Sequence, residues 1–358
     1  MKIGVLAYPH YRTPPEKYGP IQTVVDELIK GLDKRGHNVT AFVTGDSDVS
    51  CSKIIVKDTP DIDDPTVPDV KIYEQVTIQE LLKHRNEFDV LSSHISFHIL
   101  PFLELLNYPV VVNLQGIYTN SHYKKVFYYY KNAYFVSISN KQREQLSDLN
   151  YIATIYHGLE LSRFSFNLKP EDNLCFLGRT NPSKGMDVAI DVAKQINKKL
   201  IIGARQDQDD LSKKFYKEKI KPSLNDENII WLGERDFDQK VKLLRHSKVL
   251  IFPINWEEAF GLVMIEAMAC GTPVVAFNRG AVPEVIKDGA TGFICPPGDI
   301  DCMVKAVKKI YEMPKEEYCK IRKNCRRHIE DNFTVEKMVD NYEKVYQKVI
   351  DDWRKRKK

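Results

Sequence analysis

The sequence lacks the features of membrane-spanning and disulfide-bonded secreted proteins. No apolar run approaches the ~18 residues of a membrane span, and the apolar part of the amino terminus is too short for a signal peptide. The seven cysteines contain no C-x-x-C pair and are odd in number, as is typical of reduced thiols. We therefore expect a cytoplasmic protein. Residues 353–358 are locally basic, which leaves open peripheral contact with the inner face of the membrane.

Nucleotide-binding fingerprints are missing as well. No G-x-G-x-x-G follows the first predicted strand and no G-x-x-x-x-G-K-[ST] occurs, so neither a dinucleotide site nor a P-loop is supported. The formal net charge of +4 is too small to argue for nucleic acid. Acidic triplets at 61–63, 207–209 and 299–301 lie in charged loops and arise easily by chance. We expect no metal ion and no cofactor.

Short apolar runs instead alternate with helical patterns along all 358 residues. This alternation predicts an α/β protein with parallel sheets. The pattern breaks near residues 156–159, and residues 163–172 lack periodicity. We therefore predict an amino-terminal domain at 1–163, a second at 164–332 and a terminal helix with a basic tail at 333–358. The predicted strands are 3–7, 39–43, 90–92, 110–113, 134–137 and 152–155, then 174–177, 200–203, 229–232, 249–252, 273–276 and 292–295.

One stretch, 252–283, stands out because a single carboxylate interrupts its apolar helix. Every residue from 259 to 270 is apolar or Gly except Glu266, and a lone buried carboxylate is unfavourable without a hydrogen-bond partner. A helix beginning near Phe260 would offer the amides of Phe260, Gly261 and Leu262 to an anion. Glu258 and Glu266 flank that position.

Carboxylates repel phosphate, so the partners that suit Glu258 and Glu266 are hydroxyl groups on either side of the anion. A sugar joined through a diphosphate to a ribose has this layout. The alternative is a core helix whose acidic residues reach solvent, and this is the interpretation we prefer for Glu257.

Cations and a histidine follow other predicted strands. Arg179 and Lys184 lie in the loop after strand 174–177, where ligands of parallel sheets bind, and they fit a diphosphate or are simple surface charges. The loop 9–20, which ends in Tyr18-Gly19-Pro20 before a helix, is long for a plain connection and could cover a bound phosphate with its flexible Gly19. His94 follows strand 90–92, where a structural and a catalytic role are both open.

The run E-A-F-G-L-V-M-I-E-A-M-A-C-G-T-P-V-V, with seven residues between Glu258 and Glu266, resembles the signature of the retaining glycosyltransferases of family 4, which have the GT-B fold. Further matches are spread along the chain, at Tyr18-Gly19, 35–39, 89–94, 157–159, 163–164, 178–179, 184–185 and 289–292.

The resemblance implies two Rossmann-like domains facing each other across a cleft, with the terminal helix crossing back to the first. It also implies a nucleotide sugar as co-substrate, usually a UDP-sugar, and no metal requirement. Glu258 would bind hydroxyls of the transferred sugar, and Glu266 would bind the ribose diol. Arg179 and Lys184 would hold the diphosphate, and His94 would contact the donor sugar at the reacting centre. The donor-binding set would be completed by Gly19, Leu232, Gly233, Glu234, Phe260, Gly261, Leu262 and Val263.

The sequence departs from the family pattern at three positions. Ala259 replaces the usual Gly, Pro20 replaces a second Gly after Tyr-Gly, and Gln115 stands where His is common. We expect the first change to leave the site intact, the second to stiffen the loop after Gly19, and the third to alter acceptor-side chemistry.

The expected function is retaining transfer of a hexose from a UDP-sugar, with an α-linkage, to a small-molecule, glycan or lipid-linked acceptor. The alternatives are a GT-B-fold epimerase acting on a UDP-N-acetylhexosamine and a non-catalytic sugar-nucleotide-binding subunit.

Overall fold

The computed structural model describes residues 1–57 and 72–357, so the acidic triplet at 61–63 and Lys358 lie outside the described residues. Within them the chain divides into two units. Unit 1 comprises 1–158 together with 335–358, and unit 2 comprises 159–334.

Unit 1 contains a parallel sheet of seven strands in the order β3-β2-β1-β4-β5-β6-β7. The third strand was not predicted, because it is a half-exposed edge strand whose apolar run is only Ile54 to Val56. The strands are β1 Lys2–Leu6, β2 Asn38–Thr44, β3 Ser52–Lys57, β4 Val90–Ser93, β5 Val110–Asn113, β6 Tyr134–Ser137 and β7 Tyr151–Thr154.

Among the described residues of unit 1, four α-helices connect these strands. The first begins at Pro20, where proline is favourable because the first helical amide needs no partner within the helix. The helices are α1 Pro20–Lys34, α2 Ile72–Lys83, α3 Ser121–Tyr129 and α4 Asn140–Glu144, and a 3-10 segment covers Ser96–Leu105.

Unit 2 contains a parallel sheet of six strands in the order β10-β9-β8-β11-β12-β13. The strands are β8 Asn173–Arg179, β9 Lys199–Arg205, β10 Ile229–Trp231, β11 Val249–Phe252, β12 Val274–Phe277 and β13 Gly292–Cys295. The helices are α5 Met186–Gln195, α6 Asp210–Phe215, α7 Phe237–His246, α8 Leu262–Ala269, α9 Val282–Val285, α10 Ile300–Glu312 and α11 Lys315–Asn332.

The strand order of unit 2 decides which loops meet. Because β8 lies between β9 and β11, the loops that follow these three strands leave the same edge of the sheet. The buried strands β11 and β12 and the apolar faces of α5 and α10 form one core beneath this edge. The prediction of an α/β protein with parallel sheets is confirmed.

The terminal helix, α12 Val335–Arg356, packs within unit 1. It lies so close to α1 that a Cβ on Gly31 would collide with Val339. Arg35 at the end of α1 pairs with Asp340 at 2.6 Å and also with Glu343. The buried residues of α12 recur at helical spacing and form one apolar stripe, at Val335, Met338, Val339, Tyr342, Val345, Tyr346, Val349 and Ile350.

No helix of the described residues combines the length and hydropathy needed to cross a membrane.

Candidate functional site

The stretch singled out in the sequence forms β11, a loop over 253–261, and α8. The helix begins at Leu262 rather than at Phe260, because Gly261 adopts φ +89° and serves as the N-cap. Leu262 and Val263 therefore supply the first amides of α8. Phe260 precedes the helix, and its ring is buried against Phe333.

The site's first carboxylate, Glu258, is fixed through both its side chain and its backbone. The side chain accepts hydrogen bonds from Lys184 Nζ and Trp256 Nε1, each at 3.2 Å. Its carbonyl accepts from the amide of Ala281 at 2.8 Å. A Cβ on Gly280, which has φ +57°, would collide with the Glu258 backbone. The observed position of the Glu258 backbone consequently requires glycine at residue 280.

Lys184 reaches Glu258 because the loops after β8 and β11 pack against each other. Lys184 ends a 3-10 turn, and the following Gly185 has φ +68° and leaves no room for a Cβ beside the Pro253 carbonyl. The Asn255 amide donates to the Ser183 carbonyl at 2.7 Å. Lys184 Nζ also lies 4.8 Å from the centre of the Trp256 ring.

The second predicted cation, Arg179, ends β8 and has a different partner. Its Nη1 lies 3.1 Å from Oδ2 of Asp207, which follows β9. Burial raises the pKa of Asp207, and the positive charges of Arg179 and Arg205 oppose that rise. The sequence analysis set Asp207 aside as part of a chance acidic triplet. Its position just after strand β9 is the signal that could have identified it.

The second carboxylate, Glu266, lies in the second turn of α8 and is only 5% exposed. It pairs with Lys240, whose Nζ is 2.5 Å from Glu266 Oε1. A capping box of Asp236 and Gln239 starts α7 just before this lysine, and Lys240 Nζ lies 5.1 Å from the Phe237 ring centre. The alternative in which Glu266 reaches solvent is wrong.

Lys240 was missed because it is one of two lysines on the amphipathic helix α7, and nothing local to its sequence distinguishes it from Lys242. Glu257 was assigned to solvent, and it is one-third exposed. It nonetheless accepts a hydrogen bond from the Gly280 amide at 2.8 Å and lies 3.4 Å from Arg279 Nη1. Glu257 thus holds the segment that supports Glu258.

Three residues of the predicted donor-binding set, Leu232, Gly233 and Glu234, follow β10. The Leu232 amide donates to Ile202, and the Gly233 carbonyl accepts from Ala204, both at 2.9 Å. Gly233 has φ +73°, which turns the chain out of the sheet. The Leu232 side chain is 40% exposed at this strand end.

Two predicted residues belong to unit 1. Gly19 is the N-cap of α1, and its carbonyl accepts from the amide and the hydroxyl of Thr23, both at 3.0 Å. A Cβ on Gly19 would lie 2.6 Å from Pro15. The structure therefore requires glycine at this turn irrespective of any ligand.

His94 follows β4 in unit 1, and its ring is fully buried. Nδ1 lies 2.9 Å from the side-chain nitrogen of Gln115, and Nε2 lies 3.2 Å from Ser92 Oγ. Burial, assisted by the nearby His157, lowers the pKa of His94 to about 3. The ring is therefore neutral at pH 7. Gln115, noted in the sequence as a departure, is a direct partner of His94.

Models of known protein families match both units of the chain. The family described as "Glycosyltransferase Family 4" matches residues 21–163, and the one described as "Glycosyl transferases group 1" matches residues 160–328. A phosphatidyl-myo-inositol mannosyltransferase of Mycolicibacterium smegmatis is 27% identical over 341 residues, which cover 87% of this chain and 85% of that protein.

An N-acetyl-alpha-D-glucosaminyl L-malate synthase of Bacillus anthracis is 32% identical over 127 residues, 36% of this chain. The match spans about a third (32%) of that relative's length.

Solved structures show the same fold at low sequence identity. Sucrose-phosphate synthase from Thermosynechococcus elongatus superposes with a TM-score of 0.81 at 18% identity, covering 98% of this chain and 99% of that one. The Anabaena protein HepE, solved in complex with UDP and glucose, superposes with a TM-score of 0.76 at 16% identity, covering 97% and 100%. The chain belongs to the family 4 glycosyltransferases and adopts their GT-B fold, as the sequence motifs had indicated.

Proposed function

We propose that this glycosyltransferase moves a hexose from a UDP-sugar to a hydroxyl acceptor, with retention of configuration and without a metal ion. The observation that carries the proposal is the presence of two partly buried ion pairs, Lys184–Glu258 and Lys240–Glu266, beside the amino terminus of α8. Two carboxylates and two ammonium groups at one helix end suit a ligand that combines a diphosphate with hydroxyl groups.

Binding of the donor would exchange partners within the first pair. The diphosphate attracts Lys184 Nζ, and Glu258 is then left to accept hydrogen bonds from hydroxyls of the sugar. The amides of Leu262 and Val263 add donors at the positive end of α8. Arg179 lies in the same unit on the neighbouring strand end, and Asp207 orients its guanidinium. Each contact stabilises the negative charge that grows on the departing diphosphate.

The second pair would hold the nucleoside. Lys240 keeps Glu266 oriented inside the apolar helix, and the Glu266 carboxylate can accept both ribose hydroxyls. The exposed Leu232 side chain at the end of β10 offers an apolar surface for the base.

Retention in this scheme needs no protein nucleophile. The diphosphate leaves from the face that the acceptor enters, and its own oxygen takes the acceptor proton. The carbon–oxygen bond to the diphosphate breaks as the bond to the acceptor oxygen forms, so charge and atoms balance. The family resemblance assigns His94 to the donor sugar. Both nitrogens of this neutral imidazole already contact Gln115 and Ser92, so it would have to exchange one of these partners to bind a sugar hydroxyl.

The acceptor is proposed only as a hydroxyl compound. The printed names of two relatives contain L-malate and phosphatidyl-myo-inositol, so an acceptor panel should include a hydroxy acid, an inositol lipid and a glycan. A transferase yields a mass increase of one hexose on the acceptor. An epimerase would instead convert the donor without any acceptor, and a non-catalytic subunit would bind the donor unchanged.

The roles of the two carboxylates separate in a binding experiment with UDP and several UDP-hexoses. Glu266→Gln should weaken UDP and UDP-hexoses alike, by about tenfold, since one charge-assisted interaction with the shared ribose is lost. Glu258→Gln should instead change the ranking of the hexoses. Titration calorimetry measures both, with the exposed Glu316→Gln as the control.

Loss of UDP affinity in the Glu258 variant with unchanged UDP affinity in the Glu266 variant would reverse the two roles. Failure of the unaltered protein to bind any nucleotide sugar would refute the proposed function. Transfer that stops in EDTA and resumes with Mg²⁺ or Mn²⁺ would contradict its metal-free part.

A further inference from the structure

Two cysteines of unit 2 lie in direct contact outside the candidate site. Cys295 ends β13 and Cys302 lies in the first turn of α10, and their Sγ atoms are 2.6 Å apart. A disulfide joins sulfur atoms about 2.05 Å apart, so the two thiols are within about half an ångström of bonding distance. All seven cysteines are free thiols in the structure.

The backbone on both sides holds this pair in place. Cys295 is opposite Phe277 in the β12–β13 register, and its carbonyl accepts from the Asn278 amide at 2.8 Å. Asp299 caps α10 by accepting from the Cys302 amide at 2.9 Å. The intervening turn is closed by a hydrogen bond from the Asp299 amide to the Pro296 carbonyl at 3.1 Å. These hydrogen bonds keep the two cysteines next to each other, with their sulfurs 2.6 Å apart.

Other cysteines of the same unit are arranged differently. Cys175 Sγ donates to the Val249 carbonyl at 3.7 Å, and Cys325 Sγ donates to the Thr291 carbonyl at 3.2 Å. Both side chains are buried, and burial raises the pKa of both thiols to about 12. They have the surroundings of inert core cysteines.

We propose that Cys295 and Cys302 form a reversible intramolecular disulfide, a redox modification site of this protein. Cys302 is the partly exposed member and Cys295 the buried one. Burial raises the pKa of Cys295 well above its usual range, and the neighbouring Cys302 sulfur adds to that rise. The thiol that first meets an oxidant is therefore Cys302, and Cys295 is the resolving thiol.

The oxidant class is a small-molecule disulfide such as glutathione disulfide. The Cys302 thiolate attacks one sulfur of the oxidant, forms a mixed disulfide and releases one glutathione thiolate. Cys295 then loses its proton to solvent and attacks Cys302 Sγ, which expels the second glutathione. Two protein thiols are oxidised by two electrons in all, and one glutathione disulfide is reduced to two glutathione molecules.

The bond would form next to the segment that supports Glu258. Asn278, which hydrogen-bonds to Cys295, is followed by Arg279 and Gly280, and these two residues contact Glu257. This connection to the candidate site rests on the proposed function. The proposed disulfide does not rest on that function, because it is detected from peptide masses and not from enzyme activity.

Peptide mass spectrometry tests the proposal without any activity assay. No Lys or Arg lies between Lys287 and Lys305, so both cysteines fall in the tryptic peptide 288–305. The full-length protein is incubated with glutathione disulfide, and its free thiols are then alkylated before digestion. We expect peptide 288–305 without alkyl groups and two hydrogens lighter, and its full alkylation after treatment with dithiothreitol.

Cys319→Ser serves as the matched control, because it removes another partly exposed thiol and leaves the pair intact. It should form the bond as the unaltered protein does. Cys302→Ser and Cys295→Ser should each abolish it, and the Cys295 variant should accumulate the glutathione adduct on Cys302.

A peptide 288–305 that carries two alkyl groups after oxidation overturns the proposal, as does a glutathione adduct that persists on Cys302 in the unaltered protein. Either result leaves the glycosyltransferase proposal untouched. Conversely, failure of the protein to bind nucleotide sugars would not affect the evidence for the disulfide.

Discussion

At the scale of single residues, charged groups of the candidate donor site are joined in ion pairs within unit 2. Glu258 is paired with Lys184, Glu266 with Lys240, and Arg179 with Asp207. Partial burial makes these pairs sensitive to the loss of one member, because the remaining charge stays desolvated. The pairs also keep the side chains in place before a donor arrives.

Lys184→Ala should therefore lower turnover by about 10²- to 10³-fold, since it removes a cation that stabilises the departing diphosphate. The fold should persist, because Lys184 is at the end of a short turn and outside the core. Steady-state kinetics with a saturating acceptor measure the loss, and circular dichroism checks the fold. The exposed Lys308→Ala on α10 is the control. Near-normal turnover in the Lys184 variant would refute the assigned role.

At the scale of elements, the site depends on loops that pack at one edge of a parallel sheet. The sequence predicted the strands that lead into them well, because buried parallel strands are continuous apolar runs. It misplaced the start of α8 because Gly261 reads as a residue inside an apolar helix, while its left-handed conformation makes it the cap. Local composition does not reveal which glycine adopts a positive φ.

Gly280→Ala tests this arrangement. A methyl group there meets the Glu258 backbone, with the carbonyl carbon only 2.7 Å away, so the loop carrying Glu258 must move. We expect weaker binding of UDP-hexose together with a lower unfolding temperature. Gly289→Ala is matched in backbone strain, since Gly289 has φ +74° but no atom within 4 Å of the added carbon.

The control should show only the conformational penalty of about 1–2 kcal/mol for an L-residue in the left-handed region, with unchanged binding. If both substitutions changed UDP-hexose binding equally, the contact between Gly280 and Glu258 would have no role in donor binding.

At the scale of the whole molecule, residues from distant parts of the chain converge on His94. Tyr342 of the terminal helix α12 donates to Asn113 Oδ1 at 3.0 Å, and Asn113 Nδ2 donates to Ser92 Oγ at 3.0 Å. Ser92 in turn contacts His94, and His157 is close enough to lower the His94 pKa. Burial also lowers the pKa of His157 to about 3.

These two histidines make the stability of unit 1 depend on pH. Each has a pKa of about 3 in the folded state and about 6.5 when unfolded. The unfolded chain therefore binds more protons in this window, and the stabilisation present above pH 6.5 is lost as the pH falls towards 3. The slope is at most about 1.4 kcal/mol per pH unit for each ring.

Urea unfolding between pH 7 and pH 5 should show this loss, and His94→Gln should reduce the slope. The exposed His122→Gln is the control and should leave the slope unchanged. Glu74, whose pKa is lowered to about 2 by its histidine partners against the opposing effect of burial, loses its contribution only at lower pH. An unaltered slope in the His94 variant would contradict the buried neutral state of this ring.

The sequence by itself determined the α/β class, most strand positions and the family, because buried strands and the Glu258–Glu266 motif are encoded in contiguous residues. The tertiary structure decided which side chains pair with one another. Lys240 meets Glu266 across two helices, Asp207 meets Arg179 across two strands, and Cys302 meets Cys295 across a turn. Such contacts depend on strand order and loop packing, which the local pattern of residues does not specify. The stretch 252–283 thus identified the candidate site, and the loop after β8 and helix α7 supplied the lysines that pair with its carboxylates.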